Sequence, residues 1–439
     1  MRSFNKAELP QKVYLTGADC FHLVLDMHAK KHGAGGNVMR KIFYFNNALS
    51  FEKIDNILKS SAVIYWLCNI KLVPGLFFRI PYWKFTDNGN EIILKEHNSP
   101  VENEIPVIIL ERDITVNAIR FIEADLIHFP SGRSAFVLSW NHILLDAKGT
   151  TLLFEHLNHL TDKKQPGLAD LFPVKEKKTS FIKYIQNMYE VKSFIQISSR
   201  APVSSVAGRD AKTSDGKTGC RVIHYNAGET KKILENAFRA GSRFGPTLYF
   251  IACCSHVIHA INEKRNNKGD LWLPVPYDGR LRGAAGPLIS NCVAFLFYRI
   301  AQDELNTVAQ TVKCLNTQMT TQIKDKIPQK YSMFLDMMRH VPLWLYYFLV
   351  SRTGEGTFAS FLYTSTGDNF NELRSLFGEP LRDLTMIPAL TFPPGLTFVF
   401  LKHDDELNVN IAYSPDIISN NDLHLIEQKI KEMLLADHS

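Results

Sequence analysis

The segment LSWNHILLDAKGT, residues 138–150, places His142 four residues before Asp146 at the end of an apolar run. An imidazole, with a pKa of about 6.5, can take up and return a proton at neutral pH. A carboxylate nearby can orient it or hold the loop that carries it. The spacing alone establishes no chemistry, because among 15 histidines roughly one chance H-x-x-x-D is expected. A second one, His22 and Asp26 in CFHLVLDMH, is present. Their settings differ. His22 falls inside a predicted helix, where an i,i+4 pair shares one solvated face and is worth a few tenths of a kcal/mol; that pair is read as structural. His142 falls where the predicted strand SAFVLSW opens into a loop and then a helix, the kind of place where reactive groups sit on rigid supports. His142 is therefore the candidate general base.

Other chemistries find less support. The segment LYTSTGD offers three adjacent hydroxyls, Thr364, Ser365 and Thr366, after a predicted strand. If extended, Thr364 and Thr366 share one face and Ser365 takes the other. They are read either as donors to a developing oxyanion or as turn-forming polar residues. His156 and His159, and again His256 and His259, are three apart on predicted helices but lack a third ligand, so no metal site is assigned. No Walker loop, G-x-G-x-x-G run or G-x-S-x-G turn occurs, which sets aside nucleotide hydrolysis, dinucleotide binding and a serine elbow. The seven cysteines form no C-x-x-C pair and are read as reduced thiols of a cytoplasmic protein.

The elements that must position these groups mix strands and helices in both halves of the 439 residues. The first half reads as a helix over 17–31, a strand at MRKIFYF and a helix at SFEKIDNILKSSAVIYWL. Strands then follow at PVIILE, AIRFIEADLIHF and SAFVLSW, the last two joined by the turn PSGR. A helix at TTLLFEHLNHL closes this part. The segment 198–220, rich in Ser, Gly, Lys and Asp, reads as an exposed flexible linker or crossover. Beyond it, RVIHYN, DLWLPVPYDGR and NCVAFLFYRI read as strands. Two long helices are predicted over about 304–351, a hairpin around 403–406 and a last helix capped by Ser419. The expected organisation is 1–197, a linker at 198–220, and 221–439, with an α/β or α+β architecture.

Composition narrows the partners. Hydrophobic residues at 45% and charged residues at 21% are those of a soluble globular chain. A net charge of +6 without a dense basic stripe sets nucleic acid aside but suits a phosphorylated cofactor or an acidic carrier protein. VPLWLYYFLV, residues 341–350, falls short of the about 20 residues needed to span a bilayer, so no transmembrane segment is expected. It reads as a core helix, with a wall against an acyl chain as the alternative. YWLCNIKLVPGLFFRIPYW, residues 65–83, is similar but interrupted by Lys71, Pro74, Gly75 and Arg79. The N-terminus lacks the apolar core of a signal peptide.

WNHILLDAKG resembles the HHxxxDG motif of the chloramphenicol acetyltransferase-like, coenzyme A-dependent acyltransferase superfamily. That group includes nonribosomal peptide condensation domains, wax ester synthase/diacylglycerol acyltransferases and polyketide-associated acyltransferases. PVPYDGRLRGAAGPLISNCVAFLFYRI, residues 274–300, resembles the group's later segment: a strand ending in arginine, a Gly/Pro-rich loop and an "SN" before the next strand. YLTGADCFHLVLD at the start and the closing hairpin resemble the family's ends, so the resemblance covers nearly the whole chain. It implies two acyltransferase-like subdomains forming a pseudo-dimer around a central tunnel. His142 would act as base for acyl transfer from a thioester to an alcohol or amine, and Asp146 would pair structurally with Arg280, or with Arg282 as second choice. The Thr364–Thr366 hydroxyls lie where family members carry a residue facing the cleft. The donor would be acyl-coenzyme A or an acyl-phosphopantetheine carrier protein, with no permanently bound cofactor. A lipid-like acceptor or acyl group is slightly favoured, and a cytoplasmic monomer, peripheral to the membrane at most, is expected. The chain departs from the motif at Asn141, in place of histidine, and at Ala147, in place of glycine, where Gly149 is read as supplying flexibility. These departures are what a rival reading can cite: a non-catalytic binding module that recruits a carrier protein or partner enzyme.

Overall fold

The first helix starts at Thr16 because the Thr16 hydroxyl accepts from the Asp19 N–H while the Asp19 carboxylate accepts from the Thr16 N–H. In this computed structural model the residues described are 4–34, 36–75, 79–116, 120–162, 167–168, 171–173, 181–200, 202–207, 211–213, 216–280, 286–351, 358–365 and 373–437. The chain opens with β1 (Lys12–Tyr14), α1 (Gly17–Lys31), β2 (Val38–Phe45), α2 (Phe51–Ser60) and α3 (Ala62–Cys68). It continues through β3 (Ile70–Val73), β4 (Tyr82–Phe85), β5 (Leu94–Asn98) and the single turn α4 (Val107–Leu110). β6 (Ile122–His128), β7 (Ser134–Asn141), α5 (Ala147–Thr161) and α6 (Phe181–Ser198) follow.

The second half begins with β8 (Gly219–Tyr225), α7 (Ala227–Arg239), α8 (Thr247–Lys264), β9 (Leu271–Asp278) and β10 (Val293–Ile300). Three helices follow, α9 (Val308–Lys324), α10 (Ile327–Met338) and α11 (Leu343–Val350). The chain ends with β11 (Leu362–Ser365), β12 (Ser375–Leu376), β13 (Glu379–Ile387), β14 (Leu396–His403), β15 (Glu406–Tyr413) and α12 (Asn420–Leu435).

Six strands form one sheet in the order β12-β13-β2-β7-β6-β5, and four form another, β11-β14-β15-β8. Every residue of β2 and β7 is buried, so these strands are covered on both faces, even at Arg40 and Lys41 in the middle of β2. β9 and β10 make a long two-stranded ribbon, and β1-β4-β3 a small sheet at the N-terminal end. One core covers one face of the six-stranded sheet and takes in Trp272, Phe297 and Tyr331 from the second half, and a smaller one on the other face joins Ile42, Val137 and Ile127 to Ile109. Another core fills the space between the four-stranded sheet, α8 and α12.

The two halves exchange a segment. β13, from near the C-terminus, pairs antiparallel with β2, Thr385 opposite Ile42. Asn408 and Asn410 of β15 then donate to Asp383 Oδ1 and the Met386 carbonyl, each at 2.9 Å, which stitches the four-stranded sheet to the six-stranded one.

Three expectations are corrected. PVIILE is the turn of helix α4 rather than a strand: Pro106 sits at its N-cap, Val107 and Ile108 are exposed, and only Ile109 enters the core. Residues 203–207, expected within an exposed linker, include buried Ser204, Ser205, Val206 and Ala207. The Ser204 and Ser205 hydroxyls donate to the carbonyls of Gly269 and Ala359, so polar side chains there serve buried packing. The two predicted helices over 304–351 are three, separated near Lys326 and at Pro342. Among the described residues no helix is long and apolar enough to cross a membrane.

Candidate active site

β7 delivers His142. The strand runs in register with β2, Asn141 opposite Val38, and ends there because the Asn141 side chain takes over the turn. Its Nδ2 donates to the Ile114 carbonyl at 2.7 Å and its Oδ1 accepts from the Ile143 N–H at 3.1 Å. Asn141 is fully buried, so the residue standing in the motif's first histidine position is structural in this chain. The His142 N–H donates to the Asn37 carbonyl at 2.8 Å, and Trp140 Nε1 donates to the Leu145 carbonyl at 3.0 Å. The loop between strand and helix is thus closed on itself.

Asp146 ends that loop as the N-cap of α5, its Oδ1 accepting from the Gly149 N–H at 2.7 Å. Its Oδ2 accepts from Arg280 Nη1 and from the Cys292 N–H, both at 2.8 Å. The Arg280 side chain is only 4% exposed and also donates to the Pro287 carbonyl at 3.1 Å. Arg282 lies outside the described residues. One residue before Cys292, Asn291 is gripped by a second carboxylate: its N–H and its Nδ2 donate to Asp19 Oδ1 at 2.8 and 2.9 Å. The same Nδ2 lies 2.9 Å from the His142 carbonyl and 3.0 Å from that of Ile143. Burial raises the Asp19 carboxyl to about 6, against the opposing bonds from Thr16 and Asn291. Two buried acids, one from α1 and one from the start of α5, therefore hold consecutive N–H groups of the second half and lock the backbone under His142.

Gly149 serves this clamp differently from the sequence reading. It lies inside α5, where a Cβ would stand 2.5 Å from the Leu288 carbonyl oxygen, so close approach of the second half requires the glycine.

The His142 ring faces a cavity of about 850 Å³ between the halves. Nδ1 is buried and no acceptor meets it with hydrogen-bonding geometry. Nε2 is the ring nitrogen left open to the cavity. Burial pushes the imidazole below its ordinary value, and its own carbonyl, Asp146, the Leu145 carbonyl and Asn291 oppose this only in part.

The reading of His22 with Asp26 as a solvated pair is wrong. Both are buried, at 6% and 2% exposure. Asp26 gives its carboxylate to Lys30 at 2.7 Å and to the Asn37 N–H at 3.0 Å. The His22 ring instead stacks on His142, centroids 4.0 Å apart and planes 28° apart, and lines the same cavity. No linear signal could have found this, because the two rings are brought together by α1 packing against the β7 loop. Thr364 and Ser365, at the end of β11, also line the cavity, and Thr366 lies outside the described residues. Lys148, Lys192 and Arg200 supply basic groups to the wall. Phe348 and Leu349 of α11 line the cavity while remaining 44% and 49% exposed, which puts this helix at its mouth. By contrast, Tyr65 to Cys68 are core residues. Among the described residues no group of three His, Cys, Asp or Glu is placed to hold a metal ion.

No protein-family model matches the chain, and no curated protein matches it. Solved structures do. The first condensation domain of the calcium-dependent antibiotic synthetase, in complex with a substrate analogue, superposes with a TM-score of 0.69 at 15% identity, covering 98% of this chain and 97% of that one. The trichothecene 15-O-acetyltransferase from Fusarium sporotrichioides gives 0.67 at 12% identity, covering 98% and 96%. The cyclization-docking bidomain of the EpoB nonribosomal peptide synthetase from Sorangium cellulosum gives 0.64 at 13%, covering 100% and 88%. The chain therefore has the fold of this condensation domain and of this acetyltransferase, over nearly its whole length.

Proposed function

We propose that the protein transfers an acyl group from a thioester to a hydroxyl or amine, with His142 as general base. The observation that carries this is the exposure of His142 Nε2, alone of that ring's nitrogens, to a large cavity between the halves, on a loop held rigid by Asp146–Arg280 and Asp19–Asn291. The attacking O–H or N–H gives its proton to Nε2 as the new bond to the carbonyl carbon forms. Collapse of the tetrahedral intermediate then breaks the C–S bond, and the thiolate receives the proton from His142. No side-chain nucleophile is needed.

The shape of the cavity refines the substrate class. Its wall is built from Phe21, Leu25, Trp272, Phe295, Tyr331 and Met338 among others, and its mouth carries the apolar face of α11. Such a wall suits a large apolar acyl or acceptor group. Lys148, Lys192 and Arg200 suit the phosphate of a phosphopantetheine arm, a group that coenzyme A and carrier proteins share.

The test is thiol release from acyl-coenzyme A donors of rising chain length, and from an acylated carrier protein, with mixed alcohols and amines. Wild type should favour long donors. His142→Ala, folded by circular dichroism, should lose about 100-fold or more in kcat. Equal turnover by the two proteins would remove His142 from the chemistry, whereas no thiol release by either protein, from coenzyme A or carrier-protein donors, would give the lead to the binding-module reading.

A further inference from the structure

Acyl transfer leaves one requirement unmet by His142: a donor for the oxyanion that forms when the thioester carbonyl is attacked. The stacked partner of His142 supplies one. Asn37 decides which nitrogen of His22 carries its proton. The Asn37 Nδ2 lies 3.3 Å from the His22 carbonyl, which only accepts, so this end of the amide is the donor. The same Nδ2 lies 3.4 Å from His22 Nδ1, which must then be the accepting nitrogen of the ring. The hydrogen of a neutral His22 is consequently on Nε2. That atom has no hydrogen-bond partner among the described residues, and the ring lines the cavity beside His142.

Resting on the acyl-transfer reading, we propose that His22 is a second catalytic residue, whose neutral Nε2–H donates to the oxyanion of the tetrahedral intermediate while His142 Nε2 accepts the proton of the attacking group. The two rings lie face to face with centroids 4.0 Å apart, so a donor and an acceptor are presented side by side to two atoms on one carbon. Two imidazolium rings at that separation would repel by several kcal/mol at an effective dielectric of about 20, so the pair carries no more than one positive charge. The charge taken up by His142 during turnover thereby keeps His22 a neutral donor. Burial acts in the same direction and holds the His22 ring well below its ordinary value, with His142 adding to the effect. A buried neutral imidazole used as a hydrogen-bond donor to developing negative charge is a workable device in principle.

Two substitutions separate a hydrogen-bonding role from a packing role. His22→Phe keeps a flat ring against His142 and removes the N–H; His22→Gln keeps a donor and removes the ring. The proposal expects His22→Phe to lose about 10²- to 10³-fold in kcat with KM little changed, and His22→Gln to retain more activity than His22→Phe. The reverse order, with Phe near wild type and Gln impaired, would assign His22 to packing and overturn the proposal. Independently of turnover, the ring nitrogens of ¹⁵N-histidine-labelled protein at pH 7 should show His22 neutral with its proton on Nε2. A proton on Nδ1, or a charged ring, would also overturn it. If wild type releases no thiol from any donor, the acyl-transfer reading falls and takes the oxyanion role with it, whatever the tautomer; activity in wild type with full activity in folded His22→Phe sinks the His22 proposal alone.

Discussion

Desolvation acts on His142 in one direction. The ring is surrounded by protein, and Asp146, the nearest carboxylate, spends its oxygens on Arg280, Gly149 and Cys292. It therefore returns only part of what burial removes from the charged form. A base whose protonated form is disfavoured stays unprotonated to lower pH. The acid limb of kcat/KM should accordingly show an apparent pKa below 6.5. An acid limb at or above that value would mean that His142 is not the group titrating in the free enzyme. The motif's departures also acquire a meaning at this scale. Asn141 is committed to two hydrogen bonds that shape the turn, so its presence argues neither for nor against turnover.

At the scale of elements, the site depends on α5 and the 286–292 segment meeting without a side chain between them. Alanine is the better helix former by about 1 kcal/mol, so propensity alone expects Gly149→Ala to stabilise the protein. The added methyl would instead press on the Leu288 carbonyl, which is backbone and gives way only by moving the segment that holds Asn291 and Cys292. We expect Gly149→Ala to lower stability by about 1–3 kcal/mol and to reduce kcat, read from urea unfolding and initial rates on one preparation. A more stable, fully active variant would show that the clamp tolerates a gap.

What was legible in the sequence divides along the same line. His142, Asp146 and Arg280 lie in two linear motifs, and helices such as α1 and α12 announce themselves by their caps. His22 was misread because its partner lies 120 positions away in sequence and its helical periodicity is satisfied equally by solvent or by a neighbouring loop. β13 went unseen for a related reason. EPLRDLTMI carries a proline and three charges, and its strand character comes from pairing with β2 and bonding to β15 rather than from any pattern of its own. Gly149 was visible as a glycine, yet the reason for it is the Leu288 carbonyl of the other half.

At the scale of the molecule, burial places at least four imidazoles of the described residues where their charged forms are disfavoured: His22, His28, His142 and His156. In the unfolded chain each takes up a proton near pH 6.5. In the fold His28 does so only at about 3 and His156 at about 4, while the stacked pair is shifted the same way. The folded-state values are depressed, so the unfolded state binds more protons as pH falls through 6.5, and stability is lost below that point. Each such histidine costs up to about 1.4 kcal/mol per pH unit within its window. Asp19 works in the opposite sense, because its folded value of about 6 lies above the unfolded 3.8, but it offsets only one of the four and only below pH 6. The net expectation is a fall of several kcal/mol between pH 7 and pH 5, comparable to the whole stability of an ordinary domain. Urea midpoints at pH 7, 6 and 5 would measure it, and a midpoint unchanged over that range would mean that these rings are charged or solvated in the folded protein. Since His22 and His142 belong to this set, the neutrality that the proposed chemistry requires of them and the acid sensitivity expected of the fold have one physical origin: burial at the site takes the imidazoles out of water.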